Sequence, residues 1–259
     1  MSLAGKSPFG TCIFREFAKT DSTTLCFSDH YLAYCASGSM RLEIESRYYF
    51  LQPTKAVWIP AGKPVTAQIP TSITCCSILF NTACFPEHNP LVKTIDLTPL
   101  ARHMILHCKR WAVEGCSIDD AAEPFYKALA SIIVERMDAP TTDWIPKGKS
   151  KLVARAVELT IERHTRPIEL SEIAFEVAAS ERTLSRRIVD ETDMRWSELL
   201  RRVRIIAARE LLTNSELQIT GVANAVGYSS QSAFNKAFKF ESGLTPRNFR
   251  KQFKSANWA

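Results

Sequence analysis

No stretch of this 259-residue chain is apolar for long enough to cross a bilayer, and its first residues lack a basic start followed by an apolar core. With neither an anchor nor an export signal, the chain is expected to stay in the cytoplasm and away from membranes. Its eight cysteines, Cys12, Cys26, Cys35, Cys75, Cys76, Cys84, Cys108 and Cys116, contain no C-x-x-C pair. That spacing argues against zinc clusters and against a disulfide framework, so reduced and mostly buried thiols are expected. Metal-ligand sets are missing too. His103 and His107 stand at i, i+4, but no glutamate separates them in the H-E-x-x-H manner and no third ligand is evident. His30 is followed by Tyr31 and Leu32 rather than by a second histidine. We therefore expect no metal, no cofactor and no catalytic residue; His30 reads as a buried, hydrogen-bonded side chain.

What the chain does have is an uneven distribution of charge. Residues 1–146 hold 13 Lys and Arg against 14 Asp and Glu, whereas residues 147–259 hold 20 against 13. The whole formal excess of +6 thus sits in the later part, which suggests a polyanion partner for that part alone. The cysteines divide the same way, since all eight precede residue 117. A chain of this length usually needs more than one core, so two domains are expected.

The first part reads as short strands. Tyr31–Ser37, Arg41–Glu45, Tyr48–Leu51, Ala56–Ile59 and Ile73–Phe80 are rich in aromatic and β-branched residues, and turn chemistry at Ser37-Gly38-Ser39, Pro53-Thr54, Pro60-Ala61-Gly62 and Pro70-Thr71-Ser72 separates them. Met40, Leu42 and Ile44 alternate with Arg41, Glu43 and Glu45, as a half-buried strand requires. Strands at this spacing predict a small barrel or sandwich. From Pro99 to Met137 the period becomes helical, with one stripe of Leu100, Met104 and Cys108 and another of Phe125, Leu129, Ile132, Ile133 and Met137. Residues 139–149 then break the pattern with two prolines and a glycine, and the linker is placed there.

The later part contains an internal repeat. Ile173-Ala174 and Val177 recur 49 residues on as Val222-Ala223 and Val226; Leu184, Ile188, Asp193 and Leu199 recur 50 residues on as Phe234, Phe238, Gly243 and Phe249. The slip of one residue falls inside a turn, so the two copies are one helical unit duplicated. In the first copy Ser171 is expected to cap a helix through Val177, Ala178-Ala179 to turn, and Ser180 to cap a second helix. In the second, Thr220 opens a helix, Gly227 makes the turn and Ser230 caps the next. The second helix of each pair buries Leu184 and Ile188, or Phe234 and Phe238. It presents Arg182, Ser185, Arg186 and Arg187 outward in one copy, and Gln231, Ser232, Asn235 and Lys236 in the other. Such side chains at the start of a helix suit the edges of bases in a DNA major groove, where Arg and Lys pair with guanine and Asn and Gln with adenine.

Between the copies, Trp196, Leu199, Leu200, Val203, Ala207 and Leu211 mark a connecting helix of about 16 residues, roughly 24 Å. Arg201, Arg202, Arg204 and Arg209 dot it, readable either as phosphate contacts or as members of intrahelical pairs.

The run Gly227-Tyr228-Ser229-Ser230-Gln231-Ser232-Ala233-Phe234, then Phe238, Gly243, Thr245-Pro246 and Phe249-Arg250, resembles the signature of the AraC/XylS transcription regulators. The resemblance covers about residues 150–254. It implies a seven-helix domain with two helix-turn-helix units, about 170–192 and 219–241, and a duplex DNA partner. Position by position, the implied base-reading residues are Arg182, Ser185, Arg186, Gln231, Ser232, Asn235 and Lys236. The first copy departs from the family in carrying Asp193 where glycine is usual and Leu200 where the second copy has Arg250; Asp tolerates a left-handed backbone, so a normal turn is expected.

Gly38-Ser39-Met40-Arg41-Leu42-Glu43, Tyr49-Phe50-Leu51 and Ala56 through Pro64 resemble the hairpin of cupin-type sensory domains. The whole is then an α+β protein in two domains. Residues 1–138 form a cupin-like sensory and dimerisation domain, with a barrel over about 11–95 and helices over about 97–138. The linker is 139–149, and the DNA-binding domain is 150–259. The partners this implies are double-stranded DNA, a small-molecule effector, a second copy of the chain and RNA polymerase. Two other classes stay open: a cupin metalloenzyme with accessory DNA binding, and a thiol-based redox sensor. The second is weakened because Cys75 and Cys76, successive on a strand, point to opposite faces with nothing basic beside them.

Overall fold

Alternation decides which side of each strand is dry. Met40, Leu42 and Ile44 are buried while Arg41 and Glu43 between them are half-exposed, and the same holds for Val65, Ala67 and Ile69 against Thr66 and Gln68. The computed structural model describes residues 9–70, 72–84, 91–112, 120–137 and 143–254. The chain divides into two compact units, Met1–Ile44 with Tyr49–Trp144, and Glu45–Tyr48 with Ile145–Ala259.

Eleven strands are found among the described residues: β1 (Gly10–Phe17), β2 (Thr20–Leu25), β3 (His30–Ala33), β4 (Cys35–Ser37), β5 (Met40–Ile44), β6 (Arg47–Leu51), β7 (Lys55–Ile59), β8 (Val65–Ile69), β9 (Ile73–Phe80), β10 (Lys93–Asp96) and β11 (Trp144–Pro146). One sheet runs β1–β9–β3–β7–β10, with β4 also on β9; the other runs β11–β6–β5–β8–β2. Neighbours pair antiparallel, as in Tyr31 opposite Ile59 and Leu42 opposite Ala67.

The central strands of the first sheet, β3, β7 and β9, are dry on both faces. Tyr31, Ala33, Val57 and Ile59 pack against Met40, Leu42, Ile44, Leu51 and Val65 of the second sheet. Leu32, Tyr34, Ala56, Trp58, Ile78 and Phe80 face helices α1 (Pro99–His107) and α2 (Ala122–Met137) instead. This is why β7 shows no alternation: all five of its residues are buried.

Several expectations change here. β1, β2, β8, β10 and β11 add to the strands read from the sequence. The segment Tyr31–Ser37 is two strands broken at Tyr34, whose N–H donates to Ser77 Oγ at 3.0 Å. In α1 the buried stripe is Ala101 and Ile105, followed by Cys108, while Leu100 is 61% exposed. Both stripes satisfy the helical period, and bulk favoured the wrong one; the sheet takes the side with small Ala101. The expected linker 139–149 contains strand β11, at the edge of the second sheet; residues 139–142 lie outside the described ones.

Helices α3 (Lys151–Arg163), α4 (Leu170–Glu176), α5 (Glu181–Thr192), α6 (Trp196–Asn214), α7 (Ile219–Ala225), α8 (Gln231–Ser242) and α9 (Pro246–Lys254) make up the second unit. The connecting helix α6 has 19 residues, or about 28 Å, longer than its apolar positions suggested. It contacts α3 and α5 of the first copy and α7, α8 and α9 of the second. Phe234 and Phe238 lie with Ile205, Leu212, Val222 and Phe249 in one core, and the Phe238 and Phe249 rings meet edge to face at 5.3 Å.

Cys75 joins the core between the sheets, whereas Cys76 joins Cys12 and Cys108 on the helix side. Burial pushes the Cys75 and Cys108 thiols up, and Cys12 is raised by its hydrogen bond to Cys76 and by burial. Cys26 is exposed; the side chain of Cys84 and all of Cys116 lie outside the described residues. Iodoacetamide at pH 8 should therefore label Cys26 in the native protein and spare Cys12, Cys75 and Cys108 until denaturant is added, by peptide mass mapping. Rapid native labelling of Cys75 or Cys108 would contradict this packing.

Candidate nucleic-acid interface

Each copy of the repeat is a short helix, a left-handed turn and a longer helix. The short helices start earlier than expected. The chain enters α4 at Glu169, whose N–H donates to the Glu172 carboxylate, so Ser171 is not the cap. It enters α7 at Gln218, and Thr220 lies inside the first turn with its hydroxyl donating to Gln231 Oε1 at 2.9 Å. In both copies the hydroxyl residue favoured by cap chemistry stands two positions inside the helix.

The turns follow the expected chemistry. Ala178 takes a φ of 53° and Gly227 a φ of 84°. A Cβ on Gly227 would lie 2.4 Å from the carbonyl oxygen of His164, so that turn demands glycine for space as well as for φ. Ser180 Oγ accepts from Thr183 N at 3.2 Å, and Ser230 Oγ from Ala233 N at 3.4 Å, capping α5 and α8. The helices end in left-handed residues, Asp193 and Gly243, with φ of 56° and 70°. Asp193 replaces glycine there without changing the turn.

Leu184 and Ile188 are buried in α5, and Phe234 and Phe238 in α8. Arg182, Ser185, Arg186 and Arg187 are exposed on α5; Gln231, Ser232, Asn235 and Lys236 are exposed on α8. The structure thus gathers each named set on one helix, on the side away from that helix's core. Gln231 is already engaged, its side-chain oxygen oriented by Thr220, and Arg187 lies close enough to Glu191 to act on its charge.

The arginines of α6 are committed elsewhere. Arg201 Nε lies 2.7 Å from Glu241 Oε1, and Arg202 Nε lies 3.8 Å from the other oxygen. Arg209, only 5% exposed, donates to Ser242 Oγ at 3.1 Å and to the Glu241 carbonyl at 2.9 Å. Arg204 donates to the carbonyls of His164 and Arg166 at 3.0 and 2.9 Å. Each of the four thus reaches a group outside α6 and acts as a tertiary clamp. Three of them grip the C-terminal end of α8, where the helix dipole favours cations.

The first copy has an equivalent that the sequence reading missed. Glu191, 50 residues before Glu241, accepts from the N–H groups of Lys149 and Ser150 and from Ser150 Oγ, each at 2.7 Å. Ser150 is the N-cap of α3. Each of α5 and α8 is therefore held by a glutamate in its last turn to the long helix that precedes its unit, α3 or α6. The signal was available: both glutamates sit in register in the repeat. Burial pushes the Glu191 carboxyl up, but the hydrogen bonds from Ser150 and Lys149 outweigh it and hold it below the ordinary 4.5.

Among the described residues no group of three or more His, Cys, Asp and Glu side chains is placed to hold a metal ion. His103 Nδ1 lies 2.6 Å from the Pro99 carbonyl oxygen, the His107 ring packs 5.0 Å from that of Phe125, and His30 Nδ1 accepts from Ala61 N at 3.2 Å. No helix among the described residues is long and apolar enough to cross a membrane.

A helix-turn-helix domain model matches residues 173–252. The chain is 24% identical over 237 residues to the transcriptional regulator NimR of Escherichia coli (strain K12), covering 90% of this chain and 84% of that one. It is 31% identical over 150 residues to the transcriptional activator FapR of Escherichia coli, covering 53% and 57%. Of solved structures, ToxT from Vibrio cholerae O395 aligns over 95% of this chain and 99% of its own at 14% identity, with a TM-score of 0.41, too loose to place residues. Residues 173–252 thus match a helix-turn-helix domain. The chain is a DNA-binding transcription regulator.

A Glu191→Gln variant should keep the fold but lose about 1–3 kcal/mol of stability at pH 7. Because the folded pKa is lowered, the native carboxylate's contribution is complete above 4.5 and disappears as pH falls through the folded value. Denaturant melts of the two proteins should therefore converge in acid; a gap independent of pH would refute the anchor.

Proposed function

We propose that α5 and α8 are the two recognition helices of a sequence-specific regulator, each entering a major groove of one duplex. Arg182, Ser185 and Arg186 read base edges from the first, and Gln231, Ser232, Asn235 and Lys236 from the second. The observation that carries this is the duplicated unit: in both copies the apolar side is closed by core while the polar side stands open. Arginine and lysine suit guanine, and asparagine and glutamine suit adenine. The α6 arginines are structural, so phosphate neutralisation falls to the other cations of the basic part.

The two-sheet unit is read as a cupin-like sensory domain for a small-molecule effector, with α1 and α2 serving dimerisation. The proposed boundaries are 1–138 for that domain and 150–259 for the DNA-binding domain, with 139–149 between them interrupted by β11. Promoter-bound protein would meet RNA polymerase as a further partner. Resemblance to cupin sensors supports the first domain's role, and the raised thiols of Cys12, Cys75 and Cys108 speak against redox sensing there.

Arg186→Ala and Lys236→Ala should each weaken binding to a selected duplex by about 5- to 150-fold, with unchanged circular dichroism. Wild-type affinity should also fall steeply between 50 and 200 mM salt, roughly as released counterions require. Fluorescence anisotropy reads both. Wild-type affinity in both variants would refute the assignment of the recognition helices.

A further inference from the structure

On α5, Arg182, Ser185 and Arg186 are joined on the same face by a residue of opposite character. Val189 completes the spacing i, i+3, i+4, i+7 and is 41% exposed, whereas Leu184 and Ile188 on the other side are 0% and 1% exposed. The core therefore leaves it partly open, although it also borders a second cleft with Ile168 and Trp196. Nor does the repeat require an apolar residue there: the position 50 residues on is Lys239, exposed on α8 in the same register. Val189 also lines, with Arg182, Ser185 and Arg186, a surface cleft of about 490 Å³ along the helix.

We propose that Val189 reads the C5 methyl group of a thymine in the groove that α5 enters. This rests on the DNA-binding function argued above and adds a base identity to it. The thymine methyl is the apolar group that a major groove displays, and a small apolar side chain is its natural contact. A β-branched valine on a helix holds essentially one rotamer, so its methyls are already fixed before DNA arrives. Seven residues of helix span about 10 Å, which is about three base-pair steps. The thymine then lies within about three base pairs of the guanines that suit Arg182 and Arg186. Specificity in the first unit is mixed, charge-assisted at one end of the helix and apolar at the other. In the second unit Lys239 replaces that apolar contact with a cation.

The test uses the full chain and a duplex selected by it from a random library. Each thymine of that duplex is replaced in turn by deoxyuridine, which deletes only the methyl, and binding is measured for wild type, Val189→Ala and Arg186→Ala. One such replacement should weaken wild type about three- to tenfold. Val189→Ala should be weakened to a similar degree on the unmodified duplex and be indifferent to that same replacement. If Val189→Ala binds like wild type, or if its loss and the demethylation loss multiply independently, the methyl contact is wrong. A weakened Arg186→Ala in that case leaves the recognition helix standing. If Arg186→Ala and Val189→Ala both bind like wild type, the recognition-helix reading itself falls, and this contact with it.

Discussion

A helix that reads bases must be held from behind, because its reading face cannot also be its anchor. In both copies the hold is a carboxylate two residues before the left-handed cap: Glu191 ahead of Asp193 and Glu241 ahead of Gly243. The first accepts the capped N-terminus of α3, and the second accepts guanidinium groups of α6. One acidic position, duplicated, thus orients both helices while the partner groups differ. Charge-assisted bonds suit this task because they fix direction as well as distance. Of the side chains at the front of α5 and α8, Gln231 and Arg187 also interact within the fold.

The same division of labour explains where the positive charge goes. A helix carrying four arginines at the centre of a basic domain invites reading as a phosphate surface. Each of those arginines is instead directed to a carbonyl, a hydroxyl or a carboxylate of a neighbouring element. Carbonyls at the C-terminal end of α8 and at His164 and Arg166 accept from them at that junction. Net charge thus overstates the cationic surface that stands open, and in the proposed reading the exposed positions of α5 and α8 carry more of the recognition. In the other unit, the first sheet serves two cores at once, one shared with the second sheet and one with α1 and α2. Tyr31 and Leu32, adjacent in sequence, belong to different cores.

Local chemistry was largely legible, the caps of α4 and α7 excepted, and long-range chemistry was not. Ser180 and Ser230 as caps, Gly227 in its turn and Asp193 in a left-handed cap each depend on a few neighbouring residues, and the structure has them as the sequence implied. The repeat exposed the pairing of Leu184 with Phe234 and of Ile188 with Phe238, because burial on a helix leaves a period. By contrast, nothing local tells Arg209 that its partner lies over thirty residues away at Ser242. The α1 stripe failed because Leu100 and Ala101 both satisfy the period, and only the sheet beneath chooses between them. Strand β8 was visible in the alternation of Val65, Ala67 and Ile69 but hidden behind its flanking prolines. Strand β11 is short and sits in a proline-containing stretch, and its edge pairing is a tertiary fact.

Two anchored helices reading one duplex from neighbouring major grooves is the claim on which the functional account stands. Methylation interference at guanine N7, a major-groove atom, on a selected duplex tests it most directly. The account predicts two clusters of interfering guanines on one face of the DNA, about 10 base pairs apart. A single cluster, or two on opposite faces of the helix, would contradict it.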